Sequence, residues 1–141
     1  MSSARCLCIL LLLPAFAILS AHSPLAAGED TADKEKPVEL DGSYKCAGTS
    51  DGGGKYEGTV EITKVGDAYR LEWVVGGMKH AGIGIFDKDK GLLSTSWASA
   101  VEGGVITGVA VYTVEKDKLT GRWAAFPGEG KIYDEVLTRV Y

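Results

Sequence analysis

From position 41 onward, apolar and polar residues alternate in short runs, and no stretch keeps a 3.6-residue period long enough for an amphipathic helix. Eight runs are legible, roughly 41–48, 55–64, 68–75, 78–86, 91–98, 105–114, 118–126 and 131–140. Each is closed by a break rich in Gly or Asp, such as Val65-Gly66-Asp67, Gly76-Gly77 or Pro127-Gly128. Breaks this short join antiparallel neighbours, because a parallel crossover takes about a dozen residues or more. Eight strands joined in order make a meander, and closing it into a barrel removes two edges that would otherwise pair with other chains. The pattern therefore predicts an all-β fold, an eight-stranded antiparallel up-and-down barrel over residues 41–141.

Strand side chains alternate between faces, so each run separates by parity into an inner and an outer set. In 68–75, Tyr69, Leu71, Trp73 and Val75 oppose Arg70 and Glu72; in 118–126, Leu119, Gly121, Trp123 and Ala125 oppose Thr120 and Arg122. The first set of each is expected inside. Residues 53–73 also align without gaps on 103–123, with six identities that include Gly58/Gly108, Asp67/Asp117 and Trp73/Trp123. The repeat suggests two four-stranded halves of one barrel, since neither half alone buries a core. Carrying parity through it places Ile106, Gly108, Ala110 and Tyr112 inside and leaves Val105, Thr107, Val109 and Val111 outside. That outer row is apolar enough to mark a protein–protein surface. The competing readings are a reversed parity or a covering terminal segment, and parity leaves Trp97 unassigned.

The chain start changes the picture of where the barrel works. Arg5 precedes an apolar stretch from Cys6 to Leu19, interrupted at Pro14 and short of the roughly 20 residues that span a bilayer. That is the layout of a secretory signal peptide over 1–28, and Ala26 with Gly28 satisfies the small-residue rule for cleavage near Gly28. Residues 29–40, EDTADKEKPVEL, read as a flexible charged leader. A secreted or periplasmic protein follows, with no membrane span in the mature chain. Losing Arg5 takes the net charge from −4 to −5, which argues against nucleic acid and anionic membrane surfaces. Only Cys46 survives of the cysteines, so no intrachain disulfide supports the barrel.

Candidate chemistry is sparse. His80 is the single histidine after His22 leaves with the signal, and one His with one Cys does not make a metal site. No nucleophile motif stands near it. Asp87-Lys88-Asp89-Lys90-Gly91 resembles a truncated calcium loop but lacks the further acids and carries two lysines, so it reads as a solvated turn. An exported enzyme would need a carboxylate pair at one barrel mouth. Asp134 and Glu135 are adjacent on a strand and point to opposite faces. The sequence thus indicates a non-enzymatic protein without cofactor or metal. The aromatic residues are what remain: they either fill the interior, which the small volume inside eight strands favours, or wall a small-ligand pocket.

The opening Gly42, Tyr44, Cys46 and Gly48, with the blocks YEGTVEITKVGDAYRLEW and GVAVYTVEKDKLTGRW, resembles a family of short exported bacterial proteins of planctomycete type often labelled fibronectin-binding proteins. The resemblance implies an adhesin-like binder with an extracellular protein partner, and Val105, Val109 and Val111 are the candidate contact residues. More distantly, the architecture is similar to the avidin and lipocalin barrels. That likeness implies the alternative, a carrier of a small apolar ligand lined by Tyr69, Trp73, Tyr112 and Trp123.

Overall fold

The computed structural model describes residues 38–141. The signal peptide and nearly all of the charged leader expected from the sequence lie outside the described residues. Eight strands form: β1 (Gly42–Thr49), β2 (Lys55–Val65), β3 (Ala68–Val75), β4 (Met78–Asp87), β5 (Leu92–Val101), β6 (Gly104–Glu115), β7 (Lys118–Phe126) and β8 (Tyr133–Arg139). Each pairs antiparallel with its chain neighbours, and β8 returns to pair with β1, from Tyr44 opposite Arg139 to Gly48 opposite Glu135. The barrel is closed. One turn shows how the sequence sets this path: Gly76 and Gly77, between β3 and β4, both take positive φ (56° and 81°). Only glycine adopts that pair of conformations without strain, and it matches the right-handed twist of the flanking strands.

Alternation sorts the side chains as expected. Tyr69, Leu71 and Trp73 are buried while Arg70 and Glu72 are exposed; on β6, Ala110 and Tyr112 are buried while Val105, Val109 and Val111 face outward. Trp97, which parity leaves unassigned, points inward between buried Thr95 and Ser99. Inward glycines make these large rings admissible. A Cβ at Gly108, directly across the ladder from Trp97, would sit 2.4 Å from the indole, and one at Gly121 would sit 2.3 Å from the Tyr112 ring.

The two ends of the barrel are built differently. At one end Leu40, Ile62, Leu71, Leu93, Leu119 and Leu137 are no more than 1% exposed and fill the bore. Leu40 corrects the sequence reading that assigned it to the flexible leader, because it plugs this end. The Tyr44 hydroxyl donates to the Leu40 carbonyl (2.9 Å), and the Arg139 guanidinium lies 4.9 Å from the centre of the Tyr44 ring. Arg139 also donates to the carbonyls of Asp41 and Glu39 and to the Tyr44 hydroxyl. Apolar burial and a charge-assisted clamp thus close the mouth where the chain enters and leaves.

Candidate functional site: a hollow aromatic end with a buried carboxylate

The opposite end is hollow. A cavity of about 280 Å³ opens there, at the small end of the roughly 300–1,000 Å³ typical of ligand pockets. The sequence reading favoured a filled interior, and half of the barrel departs from it. The physical reason lies in side-chain shape: flat rings held across from glycines cannot interlock as branched aliphatic chains do.

Its walls are the rings of Tyr56, Trp73, Trp97, Tyr112 and Trp123, with the His80 imidazole on β4. Neighbouring rings meet edge to face and not as a stack. Tyr56 and Trp123 are inclined by 64°, Trp123 and Trp97 by 71°, and Trp97 and His80 by 86°, with centroids 5.5–6.4 Å apart. That geometry suits the ring quadrupoles and gives the cavity angled walls.

Glu135 of β8 reaches into this aromatic box and is 5% exposed. Three donors converge on it. The Tyr56 hydroxyl donates to Oε2 at 2.7 Å, while the Tyr112 hydroxyl and the Trp73 indole N–H donate to Oε1 at 2.5 and 3.3 Å. These contacts tie β2, β3 and β6 to β8 across the bore. Burial, then the charge of Glu135, pushes the Tyr56 and Tyr112 phenols well above their ordinary range, so both act as fixed donors at any working pH. The same two causes push the buried Cys46 thiol up to about 12, which makes it inert.

Not every polar atom is satisfied. Inward Thr95 and Ser99 donate to main-chain carbonyls of neighbouring strands. Two buried atoms at the cavity have no partner, His80 Nδ1 and the Trp123 indole Nε1. Burial lowers the His80 pKa against the opposing influence of Glu135, so the neutral imidazole is favoured. A buried N–H without an acceptor is costly, and a ligand that supplies one removes that cost.

Of the residues expected to line an interior ligand, Trp73, Tyr112 and Trp123 border the cavity. Tyr69 does not: it points inward at the filled end, where its ring packs edge to face on Phe86 at 6.4 Å. Sequence reasoning missed Glu135, His80, Tyr56 and Trp97 as a set. It did note that Asp134 and Glu135 face opposite ways, and they do, Asp134 outward and Glu135 inward. The overlooked signal was ring closure: pairing β8 with β1 puts Glu135 beside inward Gly48 and Leu137 beside inward Cys46. Glu135 is the one carboxylate that lines the cavity among the described residues.

On the outer wall, Val105, Val109 and Val111 are 60%, 57% and 47% exposed. The register sets Ile83, Ser96, Val109 and Ala124 in one row across β4 to β7. Among the described residues no helix is long and apolar enough to cross a membrane, and no three His, Cys, Asp or Glu residues are placed to hold a metal ion.

The strands define a closed, eight-stranded antiparallel β-barrel, and comparison with solved structures agrees on the fold. A redesigned β-barrel, mFAP1, bound to DFHBI, is similar with a TM-score of 0.58 at 15% identity, covering 71% of this chain and 94% of that one. A de novo designed fluorescence-activating β-barrel is similar at 0.54 and 17% identity, over 72% and 94% of the two chains. A third, EF1p2_mFAP2b bound to DFHBI, gives 0.53 at 12% identity with the same coverage. No protein-family model matches the chain, and no curated protein does, so the fibronectin-binding label suggested by the sequence resemblance gains no support.

Proposed function

We propose that this protein binds a small, largely flat organic molecule in the hollow end of the barrel, as a carrier or sensor and not as a catalyst, and that it does so after export. One observation carries the reading. An aromatic-walled cavity of about 280 Å³ contains two buried, unpartnered nitrogens, His80 Nδ1 and Trp123 Nε1, beside a carboxylate already fixed by three donors. Such a site holds polar groups in place before any guest arrives, which lowers the ordering cost of binding. The designed barrels bound to DFHBI support it by showing that this fold accommodates a small molecule.

The test is calorimetric titration with flat bicyclic aromatics, each carrying one ether oxygen as an acceptor for Trp123. One-to-one binding that quenches tryptophan fluorescence is expected, and Ala110→Leu, which fills the cavity from β6, should abolish it. Binding that survives in that variant would place the ligand elsewhere. A second reading, an extracellular protein partner, rests on the outward valine row alone; Val109→Lys should weaken such a contact and leave the cavity ligand unaffected.

A further inference from the structure

The charge of the cavity specifies its guest more narrowly than its shape does. Glu135 is the only charged side chain among the described residues that line it; no Lys or Arg does. The guanidinium of Arg139 belongs to the opposite end, engaged with Tyr44 and the carbonyls of Glu39 and Asp41. His80, the remaining basic group of the cavity, is held toward its neutral form by burial. Glu135 is therefore a buried carboxylate that accepts from three neutral donors and has no Lys or Arg beside it. Buried charges are ordinarily paired, because neutral donors recover only part of the lost hydration.

The surrounding rings add to the asymmetry. Trp73, Trp97, Trp123 and Tyr56 all border the space that Glu135 reaches, and the negative faces of aromatic rings attract cations, tryptophan most strongly. Their mutual inclinations of 64° and 71° make a corner of walls that turns ring faces toward the space from more than one side. A carboxylate at the base of an aromatic corner is a receptor for positive charge.

We infer that the ligand is a small organic cation, a flat or compact molecule with a quaternary or protonated nitrogen, whose charge is balanced by Glu135 and enclosed by Trp73, Trp97 and Trp123. This deepens the small-molecule reading and rests on it. It also excludes fatty acids and other organic anions, which Glu135 repels in a cavity without a basic side chain.

The experiment holds shape constant and varies charge. Protein purified from expression of the whole chain is titrated calorimetrically with 6-methoxy-1-methylquinolinium, 2-methoxynaphthalene and 6-methoxy-2-naphthoate, three bicyclic methoxy compounds that are cationic, neutral and anionic. The cation should bind about tenfold or more tighter than the neutral compound, a preference of the size that a desolvated cation–π contact supplies, and the anion should bind weakest. Glu135→Gln should erase the preference while leaving the affinity of the neutral compound within about twofold. The exposed Glu57→Gln, which changes net charge equally, should leave it intact. Should Glu135→Gln fail to fold, the charge series on the unaltered protein decides the matter. Equal binding of all three, or tightest binding of the neutral or anionic compound, overturns the cation inference and leaves the small-molecule reading standing. Absence of binding by any of the three overturns both.

Discussion

The two ends of this barrel follow one alternation of side chains and reach opposite outcomes. At the chain-terminal end, Leu40, Ile62, Leu71, Leu93, Leu119 and Leu137 interlock and are essentially inaccessible. Branched aliphatic chains adapt in rotamer and volume until the bore is full. At the other end the same inward positions carry Trp73, Trp97 and Trp123, admitted by glycines such as Gly108 on the neighbouring strand. Rigid rings across from absent side chains leave space. One end holds the barrel shut, and the other keeps a cavity with a polar centre.

Leucine truncation in the filled end should therefore be the most damaging change. Leu137→Ala or Leu71→Ala, each at a site of 0% exposure, is expected to cost about 2–5 kcal/mol in urea unfolding, since the removed methyl groups leave a hole the aliphatic packing cannot close. If Trp97→Leu in the hollow end proved equally destabilising, the division of labour between the ends would be wrong.

The carboxylate network should come next. Tyr112→Phe removes the donor that meets Glu135 Oε1 at 2.5 Å and leaves a buried charge less well satisfied. A loss of about 1.5–3 kcal/mol is expected, the usual worth of a hydrogen bond to a charged group. Trp123→Phe should separate binding from folding. Its indole N–H has no partner to lose, so the change forfeits ring packing but no hydrogen bond, and affinity for a methoxy-bearing ligand should fall about three- to tenfold.

Most of the filled end was legible from the amino-acid pattern because period-two alternation is a local property. Tyr69, Leu71 and Leu119 declare their face within their own strands. Glu135 does not. Val136 and Leu137 are both apolar, so the DEVLTR run satisfies either parity, and the register decides between them, with Glu135 opposite inward Gly121 on β7 and inward Gly48 on β1. The cavity was hidden for a related reason. Trp97 and Gly108 are eleven positions apart in sequence, and the space their pairing creates is visible only once the β5–β6 register is known. Leu40 looked like the last residue of a charged leader because its neighbours are polar, whereas the Tyr44 hydroxyl donates to its carbonyl and Arg139, from β8, holds the carbonyls of Glu39 and Asp41 on either side of it.

A smaller difference between the ends concerns protons. His80 is the only histidine among the described residues and stands in the hollow end, its pKa lowered chiefly by burial. A histidine whose folded pKa lies below its unfolded value of about 6.5 contributes stability that is fully present above that value. The contribution is lost as pH falls through 6.5 toward the folded pKa, because the unfolded chain takes up the proton first. Unfolding free energy should therefore decline between pH 7 and pH 5, and His80→Gln should flatten the decline without shifting stability at pH 8. An unchanged slope in that variant would assign the acid sensitivity to other groups and leave His80 as a wall of the cavity alone. The outer valines mark the lower limit of these effects. Val109→Lys touches neither end of the bore and should move stability by no more than about 0.5 kcal/mol, so any larger loss would mean that the outer row is packed against something in solution.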